Sequence, residues 1–188
     1  TMANELSMLV HCRPGDEILC DRTAHILNVE GGGPSALAGA VMTPLEGDRG
    51  RFTADQVAAA IRPRSRYLPR TRVVSLEQTS NLGGGTVWPL AQVETVAAAA
   101  RAGDLAVHMD GARLLNATCA LGCDAAAFGR LCDSVWIDLS KGLGCPVGAV
   151  LAGGGDFIEE IWRWKQRIGG AMRQAGILAA AGLYALDH

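Results

Sequence analysis

Short apolar runs alternating with helix-patterned segments constrain this chain more than any other feature. The runs are Glu17–Cys20, Val41–Thr43, Arg72–Glu77, Leu105–Met109, Asp133–Leu139 and Val147–Leu151. Runs this short and this apolar suit strands buried on both faces, with the intervening helices as cover. The pattern predicts an α/β fold: a mostly parallel sheet flanked by helices on both faces.

Helices are predicted over residues 2–12, Ser35–Gly39, Thr53 onward, Pro89 to Gly103, Arg113–Leu121, Phe157–Ile168 and Ile177–Leu186. Thr53-Ala54-Asp55-Gln56 is a capping box, in which the threonine caps the first turn and the glutamine reaches back. Pro89 suits the first position of its helix and Gly103 the residue that ends it. Ile177–Leu186 is apolar nearly all round, which predicts a buried helix.

A chain of 188 residues, 49% hydrophobic, has room for one domain with a substantial core. A formal charge of −2 gives no electrostatic drive toward nucleic acid or an anionic membrane. No apolar run approaches the ~20 residues of a membrane span. Thr1–Glu5 lacks the basic segment of a secretory leader, so a cytoplasmic location is expected. Six scattered cysteines without a C-x-x-C pair are expected to be free thiols, with no metal site.

Two segments carry chemistry. His108-Met109-Asp110-Gly111-Ala112-Arg113 places a carboxylate at the end of one strand, and Ser140-Lys141-Gly142 places a lysine just past another. Ligands of open α/β sheets gather at such strand ends. A carboxylate can keep a pyridine nitrogen protonated, and an amine can hold an aldehyde as a Schiff base. Those are the two requirements of pyridoxal phosphate. Desolvation at the end of a buried strand is expected to make Lys141 a usable amine. Gly111 would let the backbone approach a flat ring, and the planar fork of Arg113 suits a substrate carboxylate.

Each residue also has a plain structural alternative. Asp110 could cap a helix beside a surface Arg113, and Lys141 could emerge onto a loop. Ser140 could donate to a phosphate or only shape a turn. Thr1 stands at a helix N-terminus, a natural phosphate site that is equally a plain cap. His25 could stack on a ring or carry a proton, or be structural. His11 and His188 are expected at the surface, and His108 in a supporting role. Competing motifs are missing: the chain has no G-x-x-x-x-G-K-[ST], no H-E-x-x-H and no G-x-S-x-G.

Six segments in one order resemble the threonine aldolases of the pyridoxal-phosphate fold type I (aspartate aminotransferase-like) superfamily, over nearly the whole chain. They are Thr1-Met2-Ala3-Asn4, Asp21–His25, Glu77–Asn81, His108–Arg113, Asp138–Gly144 and Gly169–Gly176. The resemblance implies that Lys141 binds the cofactor covalently, Asp110 pairs with the pyridine nitrogen and His25 stacks on the ring. It further implies Thr1 and Ser140 in the phosphate cup, Arg113 on the substrate carboxylate and Arg173 near the site at a subunit interface. The implied reaction cleaves L-threonine or L-allo-threonine to glycine and an aldehyde.

The resemblance also implies a homo-oligomer, a dimer of dimers with sites shared between subunits. It makes residues 1–188 the large catalytic domain, without the family's N-terminal arm and C-terminal small domain. The chain departs from the family pattern where Ser80 replaces a histidine near the substrate hydroxyl, and where Gln166 separates Lys165 from Arg167. Serine is a poor base at neutral pH, so His25 or a water becomes the proton acceptor. Two alternatives stay open. One is a different reaction on the same cofactor (β-elimination, transamination or racemisation), and the other is an inactive fragment acting in assembly.

Overall fold

The computed structural model describes residues 1–188. In chain order its first half runs α1 (Met2–His11), β1 (Asp16–Asp21), α2 (His25–Asn28), α3 (Gly33–Leu37), β2 (Val41–Leu45), α4 (Ala54–Ala60), β3 (Arg70–Glu77) and α5 (Leu90–Ala102). The second half runs β4 (Ala106–Gly111), α6 (Leu114–Leu121), α7 (Ala125–Gly129), β5 (Ser134–Asp138), β6 (Ala149–Gly153), α8 (Gly155–Arg167) and α9 (Gly176–Asp187).

The six strands form one sheet in the order β2-β1-β3-β4-β5-β6. All pairs are parallel except β5 with β6, which is antiparallel. Side chains alternate across the sheet, so the central strands β1, β3 and β4 feed two cores. Leu19, Val74, Leu76, Val107 and Met109 pack with Val57 of α4 and with Val93, Val96 and Ala97 of α5. Ile18, Cys20 and Val73 pack on the other face with Met8 and Leu9 of α1. That alternation turns His108 and Asp110 toward α1.

The short helices α2 and α7 carry too few turns to show a period and were not anticipated. The strand expected at Val147–Leu151 lies two residues later, and Pro89 is the cap of α5 rather than its first residue. The expectation of a buried terminal helix is corrected. Helix α9 forms, but Ile177 is 89% exposed and Gly182 is its only buried residue. An apolar sequence makes a helix without specifying what it packs on. Gly111 also has a different reason from the one expected: a Cβ there would strike the Trp136 carbonyl oxygen, so strand packing demands the glycine.

The capping box exists as predicted. Thr53 Oγ1 accepts from Gln56 N at 3.2 Å, and Thr53 N donates to Gln56 Oε1 at 2.8 Å. Thr53→Ala is expected to lower stability by about 1 kcal/mol in urea unfolding; an unchanged midpoint would show that the box contributes nothing. No helix is long and apolar enough to cross a membrane.

Candidate active site

The strand order reverses at β1, with β2 on one side and β3 on the other. Such a reversal opens a crevice beyond the carboxyl ends of the strands. Register places Glu77 of β3 beside Asp110 of β4, and Asp110 beside Trp136 of β5. The three form a row along a cavity of about 600 Å³, a size typical of small-molecule sites. Thr1, His25, Arg113 and Lys141 also line it.

Asp110 is buried. Its Oδ2 accepts from Asn4 Nδ2 at 2.8 Å and its Oδ1 from the Ala112 N–H at 3.1 Å. Burial pushes its pKa above the ordinary carboxylate value, and those two bonds pull the other way. Both donors are neutral, so this carboxylate has no cation of its own.

Lys141 stands on the turn after β5, with Nζ 2.6 Å from Asp138 Oδ2 and 5.7 Å from the Trp136 ring centroid. The expected desolvation is corrected here, because its side chain is 34% exposed and ion-paired. Strand β5 ends at Asp138, one residue before the expected Leu139, and Lys141 follows on the turn that lines the cavity. Burial opposes ionisation of Asp138, but hydrogen bonds from Lys141 and Ser140 outweigh it and hold that carboxyl below its ordinary pKa.

His25 opens α2. Its Nδ1 lies 2.7 Å from Glu30 Oε1, and its backbone N–H donates to Glu77 Oε2 at 3.0 Å. Glu77 Oε1 accepts the Asn81 N–H at 3.1 Å. Burial and then the neighbouring Asp110 push the Glu77 pKa up to about 7. His25, Glu30 and Asp110 bring ligand atoms within 4.8 Å of one another. The Asn4 amide already donates to both carboxylates of that group.

The structure gathers Thr1, His25, Asp110, Arg113 and Lys141, and does not bring Ser80, Ser140 or Arg173 onto the cavity wall. Ser80 is buried under the glycine-rich loop, where a Cβ on Gly50 or Gly83 would strike its hydroxyl. The Ser140 hydroxyl turns to Asp138 Oδ1 at 2.7 Å. Arg173 is exposed in the turn before α9.

Sequence reasoning missed Glu30, and it gave no site role to Asn4 or to the cavity-lining Lys165, which it met only inside family-like segments. It also missed the half-buried state of His11, whose Nε2 meets Ser134 Oγ at 2.8 Å. The one available signal for Asn4 was a polar residue placed on the face of α1 that carries Met8. His188, by contrast, is exposed as expected.

A mostly parallel sheet of this order, with a carboxylate and a lysine at its crevice, defines the large-domain fold of the pyridoxal-phosphate fold type I enzymes. The threonine aldolase of Leishmania major shares it, with a TM-score of 0.84 at 20% identity over 96% of this chain and 53% of that one. The sequence profile of the beta-eliminating lyase family matches residues 1–188, and the chain belongs to that family. The Escherichia coli low specificity L-threonine aldolase is 42% identical over 100% of this chain and 56% of its own length. An Arabidopsis thaliana low-specificity L-threonine aldolase is 39% identical over 100% of this chain and 54% of its own. The chain thus spans about half the length of the curated relatives it matches.

Proposed function

We propose that the protein is a pyridoxal-phosphate-dependent lyase that cleaves L-threonine, L-allo-threonine and similar β-hydroxy-α-amino acids to glycine and an aldehyde. The observation that carries this is the convergence of Asp110, His25 and Lys141 on one cavity. The donor set fits the cofactor. A buried carboxylate served only by neutral donors suits a protonated ring nitrogen, a primary amine on the cavity wall suits the aldehyde, and a part-exposed imidazole suits the ring face. When bound, pyridoxal phosphate supplies an electron sink for the bond being broken.

The chain's own residues would do the rest. Asp110 holds positive charge at the ring nitrogen. Lys141, oriented by its contact with Asp138, would hold the cofactor through its amine. Arg113 makes no side-chain hydrogen bond or ion pair, so its guanidinium is available to a substrate carboxylate. Lys165 adds a third cationic side chain to the cavity wall, after Arg113 and Lys141. With Ser80 off the wall, His25 is the group placed to take the β-hydroxyl proton, and Glu30 at its Nδ1 stabilises the charge gained.

His25→Phe keeps a flat face for stacking but has no nitrogen to accept a proton. Turnover is expected to fall about 10²–10⁴-fold while cofactor affinity, followed by absorbance titration, stays within a few-fold. Unchanged turnover would remove His25 from proton transfer.

Residues 1–188 would be the large catalytic domain of a cytoplasmic homotetramer. Six free cysteines suit a reducing compartment. Exposed Ile177, Leu183 and Tyr184 on α9 suit an assembly surface or the cover of a further domain. The test of function is incubation of the full-length protein with L-threonine and L-allo-threonine. Glycine with acetaldehyde supports the proposal; 2-oxobutyrate and ammonia without glycine would replace it with β-elimination.

A further inference from the structure

We infer that Asn4 and His108 are positioning residues: a one-directional hydrogen-bond chain through them holds Asp110 as an ionised acceptor and, through Glu30, leaves His25 Nε2 as its free nitrogen. The inference rests on the cofactor reading above and goes beyond it. It assigns function to groups that touch neither cofactor nor substrate.

The chain starts from chemistry that admits one orientation. Asn4 Nδ2 lies 2.7 Å from Glu30 Oε1 and 2.8 Å from Asp110 Oδ2. Asn4 Oδ1 lies 2.6 Å from Trp136 Nε1 and 2.9 Å from His108 Nε2. An indole nitrogen only donates, so the amide oxygen must face it and both amide protons must face the carboxylates. His108 therefore donates from Nε2. Its fully buried ring is neutral, because burial pushes its pKa down to about 3, so Nδ1 carries a lone pair.

Ser134 Oγ, 2.8 Å from that Nδ1, must then donate to it. The same oxygen accepts from His11 Nε2 at 2.8 Å. His11 is neutral as well, since burial pushes its pKa down to about 4. Every proton from His11 through Ser134, His108 and Asn4 points toward the two carboxylates. A proton on Asp110 Oδ2 would oppose the Asn4 N–H, and one on Oδ1 would oppose the Ala112 N–H. The network thus works against the burial that favours neutral Asp110. On its other branch, Glu30 Oε1 takes both Asn4 Nδ2 and His25 Nδ1, which fixes a His25 proton on Nδ1 and leaves Nε2 as the free nitrogen.

A buried polar network could equally serve packing alone. The test separates the two by titrating the full-length protein with pyridoxal phosphate and with its deaza analogue, in which a C–H group replaces the ring nitrogen. His108→Phe is expected to weaken pyridoxal phosphate about tenfold, the effect of one pKa unit at Asp110, and to leave the analogue unchanged. His108→Gln, able to donate from Nε2 and accept at Oε1, is expected to restore most of the loss. Ser134→Ala, a smaller change, should shift affinity the same way if His108→Phe does not fold.

Equal losses for both ligands, or none for either, would overturn the inference and leave the cofactor reading standing. Wild-type protein that binds neither ligand would sink the cofactor reading itself. In that case carboxyl ¹³C NMR of Asp110 still decides the network: its pKa should rise in His108→Phe, and an unmoved pKa overturns the inference.

Discussion

Lys141→Ala is expected to abolish the visible absorbance band that pyridoxal phosphate acquires on covalent attachment. It should also lower turnover on the order of 10⁴-fold or more, the scale at which groups acting covalently are lost. Two lysines line the cavity, Lys141 and Lys165. Lys165 Nζ sits 4.6 Å above the Trp162 ring centroid, on the helix α8 side. Lys141 Nζ sits 5.7 Å from the Trp136 ring, next in register to Asp110. Attachment at Lys141 is therefore consistent with ring-nitrogen pairing at Asp110.

Lys141→Arg sharpens the test. A guanidinium keeps the charge and can still pair with Asp138, yet it is not a usable amine nucleophile. This variant should bind the cofactor without the band. A band that survives Lys141→Ala and disappears in Lys165→Ala would move the attachment point to α8 and undo the assignment.

Strand ends made Asp110 and Lys141 legible in sequence: an apolar run that stops at a charged residue marks both the strand and its carboxyl end. Side-chain direction beyond those ends was not legible. Ser80 and Ser140 fall inside matching segments, yet one turns into the loop packing and the other to Asp138. Nothing in local periodicity distinguishes a hydroxyl aimed at a cavity from one aimed at its own turn. Asn4 was harder still. Its partners Glu30, His108, Asp110 and Trp136 lie 26 to 132 positions away, so its role exists only once the sheet has formed over α1. Alternation placed His108 on the Asp110 face of β4, but only the fold supplies Ser134 and His11 to complete the chain. For α9 the failure runs the other way: its composition was read correctly and its burial was not, because composition does not name a partner.

Glu5→Gln is expected to stabilise the protein, and by more at pH 8 than at pH 5. Glu5 lies on the buried face of α1, 4% exposed; no N–H or hydroxyl donor reaches either carboxyl oxygen, and its protonated form bonds to the Glu30 carboxylate. It abuts Gly33, where a Cβ would strike it, and neighbours Glu30, whose Oε2 likewise meets no such donor. Burial first, and then the Glu30 charge, push the Glu5 pKa from 4.5 up to about 7. The sign follows from proton binding. Below about 4.5 both folded and unfolded chains hold this proton, and above about 7 neither does. Between those limits only the folded chain holds it, so stability falls as pH rises, by an upper bound of about 3 kcal/mol. Glu77, also raised to about 7, adds a similar slope that the variant leaves in place. His11 and His108 act oppositely. Their folded pKa values near 4 and 3 add stability as pH rises toward 6.5. Subtracting variant from wild type cancels these shared contributions and isolates Glu5. Urea unfolding at pH 5 and pH 8 measures the difference. A gain equal at both pH values would mean that Glu5 is already ionised in the folded protein, and a loss at pH 8 would mean that its charge is matched by a partner.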